Sequence, residues 1–189
     1  ARVRLANTAN VVGTLNLREP AGVLFAGVPT ANASGYLDLD ATLSSFTLLD
    51  NAQNQTEFGT FALTLAPGED HTILASGSGA NLNLTLLRDD NRKPTSGTAA
   101  LRIINGIADG GTADVFVNFR GDFAGIGALQ ASDTYREYTA PASLNIGASF
   151  SQGGPLTDLG SFDIEADQVH TLILSGSVMA PAARLTTDR

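Results

Sequence analysis

Short runs of alternating apolar and polar residues fill the chain. Asn81-Leu82-Asn83-Leu84-Thr85-Leu86 puts three leucines on one face, as a strand half-buried on a core requires. Arg2-Val3-Arg4-Leu5 and Thr14-Leu15-Asn16-Leu17 alternate in the same way. Gly22 to Val28 and Ser45 to Leu49 read as further strands. Leu37 and Leu39 are expected to point inward, with Asp38 and Asp40 facing solvent. Phe61, Leu63 and Leu65 alternate with Ala62 and Thr64, and Pro67-Gly68-Glu69-Asp70 makes a turn. Asp50 to Gln55 reads as a polar hairpin tip. No window carries the i, i+3, i+4, i+7 spacing of an amphipathic helix. Strands separated by Gly, Asn, Asp and Pro predict an all-β fold.

The pattern runs twice. His71-Thr72-Ile73-Leu74-Ala75-Ser76-Gly77-Ser78 returns as His170-Thr171-Leu172-Ile173-Leu174-Ser175-Gly176-Ser177. Ala1 to Asn7 matches Ala99 to Asn105 position by position, and Tyr36 corresponds to Tyr135. Asp114 to Phe119 aligns with the strand around Leu15 and Leu17, and Gly160 to Ile164 with Gly59 to Leu63. Between the copies, Asp89-Asp90-Asn91-Arg92-Lys93-Pro94 and Thr95 to Thr98 break every periodicity. The expected organisation is a first sandwich at 1–90, a linker at 91–98 and a second sandwich at 99–189. Each copy holds about seven strands, the number of a small immunoglobulin-like sandwich. The fold class is two tandem immunoglobulin-like antiparallel β-sandwiches. Apolar residues on both faces of the His71 and His170 strands mark them as central strands.

Several segments together resemble the bacterial domain-of-unknown-function family catalogued as 4397. They are the opening Arg-apolar-Arg strand ending in Asn7, Ala113-Asp114-Val115-Phe116-Val117-Asn118, Ser34-Gly35-Tyr36-Leu37 and the His-Thr-apolar-Ser-Gly strand. The resemblance implies small immunoglobulin-like sandwiches, often in tandem, on exported or surface-attached proteins, and it brings no catalytic residues. Departures occur at Asn7 to Asn10 and Asn105 to Asp109. In copy one, Gly13-Thr14-Leu15-Asn16-Leu17 replaces the family's Asp-Val-Tyr-Val pattern.

A net charge of −8 without a basic patch argues against nucleic acid. No apolar run approaches the roughly 20 residues that span a bilayer, so no membrane insertion is expected. The absence of cysteine removes thiol catalysis, disulfides and cysteine-ligated metals. The chain opens at Ala1 within a strand pattern, without a signal peptide, as a processed N-terminus or an excised piece would.

Candidate chemistry is sparse. His71 and His170, the only histidines, occupy equivalent strand starts and read as turn-bonded framework residues. No Gly-x-Ser-x-Gly elbow exists around Ser76, Ser78, Ser175 or Ser177. Asp38 with Asp40, Glu69 with Asp70 and Asp89 with Asp90 are carboxylate pairs, of which Asp38 and Asp40 are placed on one face. Surface solvation is the commoner reason for such pairs. Ca²⁺ is a minor option, with Asp89, Asp90 and Asn91 its best contributors. Asn32, Asn54 and Asn83 open glycosylation sequons that the bacterial resemblance makes fortuitous. The reading is therefore non-enzymatic, with no catalytic, cofactor-binding or metal residues and no cofactor.

One asymmetry carries the functional expectation. The leucine-rich strand Asn81 to Leu86 has as its counterpart the short, weakly apolar Pro181 to Thr187. An under-covered edge is a template for another strand. Ala182, Ala183, Leu185 and Thr187 are the expected interaction residues. The expected partner is a protein, through self-association or a surface partner. The expected role is an adhesin-like, matrix or filament subunit outside the cell or on its surface. The alternative is a carbohydrate- or ligand-binding module using Tyr36, Tyr135, Tyr138, Phe123 and Phe150.

Overall fold

A computed structural model describes residues 1–10, 13–51, 56–79 and 81–189. The chain divides into two units, Ala1–Asp89 and Asp90–Arg189. Residues 91–98 therefore group with the second unit, where Thr95 N–H and Thr98 Oγ1 donate to the Glu137 carboxylate at 3.3 and 2.9 Å. Ala52 to Gln55, most of the expected hairpin tip, lie outside the described residues, as does Asn54 of one sequon. The described residues contain no helix, so none is long and apolar enough to cross a membrane.

The first unit contains β1 (Arg2–Asn7), β2 (Thr14–Glu19), β3 (Gly22–Pro29), β4 (Asn32–Ala33), β5 (Leu37–Asp38), β6 (Ser45–Asp50), β7 (Glu57–Ala62), β8 (Asp70–Ser78) and β9 (Asn81–Asp89). One sheet runs β4-β1-β8-β9, with β5 also on β1, and the other runs β3-β2-β6-β7. Val3, Leu5, Ile73, Leu82 and Leu84 from the first sheet meet Leu15, Leu17, Phe46 and Leu48 from the second in one core. Removing such alternate side chains from water is what drives the two sheets together.

The second unit repeats the plan. It contains β10 (Thr98–Asn105), β11 (Ala113–Val117), β12 (Arg120–Ile126), β13 (Gln130–Ala131), β14 (Arg136–Thr139), β15 (Ala142–Phe150), β16 (Thr157–Ile164), β17 (Val169–Ser177) and β18 (Ala180–Thr187). Its sheets are β13-β10-β17-β18, with β14 on β10, and β12-β11-β15-β16. Leu101, Ile103, Val115, Val117, Leu144, Ile146, Leu172 and Leu174 fill the core.

The two-sandwich reading holds, with four differences in detail. The described residues form nine strands per unit rather than seven, because short β4, β5, β13 and β14 ride on the first strand. The first strand pairs parallel with the His strand, Val3 opposite His71 and Leu101 opposite His170. Every other pair of these strands among the described residues is antiparallel, and Asn10 adds a parallel bridge to Ser78. A parallel neighbour needs a long connection, and here the whole second sheet supplies it. Leu37 is exposed, not inward, because β5 ends at Asp38 and its alternation never develops. β18 is not short: its eight residues pair with β17 throughout.

Both His strands are buried on both faces over most of their length. The glycine in each Ser-Gly-Ser has a geometric cause. Gly77 and Gly176 have φ of +104° and +88° at the entry to the last hairpin. A Cβ would sit 2.1 Å from the Asn81 carbonyl oxygen or 2.5 Å from that of Ala180.

The β11–β12 turn is built against its residue preference. Asn118 and Phe119 both adopt positive φ, +49° and +65°, and the Phe119 side chain is 91% exposed. Glycine occupies such a position without the Cβ–carbonyl clash. Phe119→Gly should stabilise the protein by about 1 kcal/mol, read as a raised urea midpoint. An unchanged or lowered midpoint would contradict this turn geometry.

Candidate functional site

Four residues remote in sequence form one polar network in the first unit. Arg4, 1% exposed on β1, donates from Nε to Thr72 Oγ1 at 2.8 Å. Thr72 Oγ1 donates to Asp89 Oδ2 at 2.7 Å. The Tyr36 hydroxyl donates to the same oxygen, and its ring lies 4.9 Å from the guanidinium carbons of both Arg2 and Arg4. The Arg4 and Asp89 charges are 4.0 Å apart and buried. At the margin, Arg2 grips Asp70 through both carboxylate oxygens, at 2.9 and 2.5 Å.

The second unit rebuilds the network. Arg102 Nε donates to Thr171 Oγ1 at 3.1 Å, and Thr171 Oγ1 donates to Asp188 Oδ2 at 2.5 Å. The Arg102 guanidinium lies 5.4 Å from the Tyr135 ring centre. The Tyr135 hydroxyl accepts from the Asp90 N–H at 3.3 Å. In both copies the threonine of the His-Thr motif links an arginine of the first strand to an aspartate at the end of the last. The arrangement ties three strands together.

Asn7 and Asn105, fully buried, tie the end of the first strand to the other sheet. Their Nδ2 groups donate to Val28 O at 2.9 Å and Ile126 O at 3.0 Å. Each Oδ1 accepts an N–H two residues on, from Ala9 or Ile107. The family pattern broken at Gly13 to Leu17 is repaired in function. Asn16 Oδ1 accepts from Gly27 N–H at 2.7 Å, as Asp114 Oδ1 does from Gly125 N–H at 2.7 Å. Both glycines sit at positive φ where the strand pair shifts register. An amide or a carboxylate oxygen serves equally well there.

The acidic pairs are turned toward separate donors. Asp40 accepts from Thr42 N–H at 2.9 Å, which holds its carboxyl below the usual carboxylate range. Glu69 pairs with Arg88 at 2.9 Å, and Asp90 with Arg92 at 2.5 Å. No group of three or more His, Asp or Glu among the described residues could hold a metal ion.

Of the aromatics named for a sugar platform, the two phenylalanines are buried and the three tyrosines are part-exposed. Phe123 and Phe150 are core residues, and Tyr36 and Tyr135 stack on arginines. Tyr138 donates to Asp122 at 2.9 Å, and burial first, then this bond, raises its pKa. Phe119, exposed at its hairpin tip, did not stand out in the sequence, because its exposure comes from a turn rather than from a pattern. Two open grooves, of about 220 Å³ beside Asp122, Gln130 and Arg136 and about 460 Å³ beside Arg18, Pro20 and Val23, are shallow surface features.

The last strands differ as their sequences imply. Leu82, Leu84 and Leu86 of β9 pack on the first core, the first two only 8% and 6% exposed. At the equivalent places β18 has Pro181, Ala183 and Leu185, all half-buried. Ala182 and Thr187 are exposed. β18 ends its sheet, with β17 its partner on one side.

Two outcomes test this framework. Asp89→Ala removes the carboxylate facing buried Arg4 and should cost about 3 kcal/mol in urea unfolding; a loss below half of that would contradict a structural role. His170 is buried, its Nδ1 3.4 Å from Thr187 Oγ1 and its Nε2 without a hydrogen bond. Burial lowers its pKa, against the opposing charges of Asp188 and Glu165. The folded state then binds fewer protons than the unfolded, so stability is complete above about pH 6.5 and declines as pH falls below it. Thermal melts from about pH 7.5 to about 5.5 should fall less steeply for His170→Gln than for the parent. Equal slopes would contradict the assignment.

No curated protein matches the chain. Among solved structures, the crystal structure of CBMbc (family CBM26) from Eubacterium rectale Amy13K in complex with maltoheptaose is similar at 13% identity and a TM-score of 0.32. The similarity covers 98% of this chain and 97% of that one. A likeness of that strength has no bearing on what this chain binds. The family model described as "Domain of unknown function (DUF4397)" matches residues 1–116, which is the whole first unit, β10 and most of β11. That match spans more than half of the protein, and the chain belongs to the DUF4397 family.

Proposed function

We propose that this protein is a non-enzymatic structural or interaction module that works outside the cell and engages a protein partner through the open edge of β18. The role is that of an adhesin-like, matrix or filament subunit. The observation that carries the reading is the contrast between the two last strands. Leucines close the flank of the first sandwich, and Pro181 and Ala183 leave the flank of the second half-buried. A sheet edge with exposed small residues accepts a further strand through its main chain. The acidic, cysteine-free, small-polar composition suits an exposed module in an open medium. The buried aspartates and threonines of both units are occupied in holding strands together, which favours a scaffold over a catalyst.

Ala183→Pro tests the reading. Sedimentation of the full chain over rising concentration, with capture from a cell-surface fraction, should show association that this substitution abolishes while thermal stability stays near the parent's. A parent that remains a monodisperse monomer and captures nothing would overturn it.

A further inference from the structure

The β18 edge has a definite polarity. Asp188 N–H donates to Val169 O at 2.7 Å, and β17 and β18 pair without a register shift from His170–Thr187 to Ser177–Ala180. In an antiparallel ladder, alternate residues bond the neighbour and those between turn both main-chain groups away. Thr186, Arg184 and Ala182 therefore face β17. Thr187, Leu185 and Ala183 present free N–H and C=O groups outward, and Pro181, in the same phase, presents only C=O. Ala183 and Leu185 also pack against the core. On β18, Ala183 and Leu185 therefore combine an outward main chain with a side chain on the core, whereas the Thr187 side chain is exposed.

This combination restricts the partner. A strand that continues the sheet, with both cores on one side, must pair its outward-bonding residues with side chains on the core face. β16, an edge strand of the other sheet, fails that test. Asn118 N–H donates to Asn145 O at 2.8 Å, so Leu144 and Ile146 bond β16 at Phe162 and Gly160. The outward main-chain groups of β16 then belong to Ser161 and Asp163, whose side chains are exposed. A second β18 meets the requirement by identity.

We propose that two copies of this chain pair β18 with β18, antiparallel about a two-fold axis through Leu185; this rests on the reading of β18 as the working edge. Three registers compete. Centring on Arg184 sets like charges opposite each other, which is unfavourable. Centring on Ala183 opposes Leu185 to Pro181, which has no N–H to give. Centring on Leu185 pairs Ala183 with Thr187, uses only residues that own an amide, and sets Arg184 opposite Thr186. It also brings the partner's Leu185 onto the flank where Ala183, Leu185 and Phe162 are half-buried. A two-fold contact is self-limiting, so it makes dimers, and a filament needs a second surface. One added strand pair is a small interface, so the dimer is of the weak, concentration-dependent class.

The chain contains no cysteine, so introduced thiols report without background. Opposed Cα atoms about 5.5 Å apart lie within disulfide reach. Ala183→Cys mixed with Thr187→Cys should give a mixed disulfide dimer under mild oxidation, and neither variant alone should cross-link. Leu185→Cys should cross-link to itself. Ala183→Cys cross-linking to itself as readily as to Thr187→Cys would overturn the register. If no β18 cross-link forms while Ala183→Pro still abolishes association or capture, the edge is used but the two-fold pairing is wrong. If Ala183→Pro changes nothing, the edge reading itself falls.

Discussion

A buried arginine is costly unless a carboxylate and further hydrogen bonds accompany it. In both units that requirement is met by one threonine. Thr72 accepts from Arg4 and donates to Asp89, and Thr171 does the same between Arg102 and Asp188. Because the threonine sits on the central strand, meeting the requirement fixes the first, central and last strands in register. The parallel pairing of β1 with β8 and of β10 with β17 is held partly by these side chains. The sandwich halves that pack on this sheet depend on it.

The duplication separates what the fold needs from what it can vary. Arg-Thr-Asp, the fully buried asparagine and the glycine of the last hairpin recur in both units. Asn16 and Asp114 differ in charge but bond the same glycine amide, so that site requires an oxygen and nothing more. The leucines of β9 do not recur in β18. The loss of apolar volume is confined to one edge strand, and the rest of that unit's core is as dense in Ile, Leu and Val as the first.

Much of this was legible in the sequence. Alternation placed the main strands, and internal matching separated the two copies and singled out the His-Thr strand. What the sequence concealed has physical causes. The Asp188 network residue lies beyond the last patterned strand, and Asp89 looked like part of a charged linker because its partners are 17 and more residues away. Leu37 alternates over too few residues for its face to be set. The direction of β1 relative to β8 is invisible to period-two patterning, which reads faces and not orientation. Phe119 owes its exposure to an Asn-Phe turn that forms without the usual glycine. The edge residues were found from weak apolarity alone. Only the ladder phase shows that Ala183, Leu185 and Thr187 turn their main chain outward, whereas Ala182 does not.

That alternation is the core of the account, and amide-resolved hydrogen exchange along β18 reads it directly. In dilute solution the Ala182, Arg184 and Thr186 amides should be protected by β17, while those of Ala183, Leu185 and Thr187 exchange freely. At high concentration the second set should slow toward the first. Uniform protection along β18 in dilute solution, or an exchange pattern independent of concentration, would contradict an open, self-pairing edge.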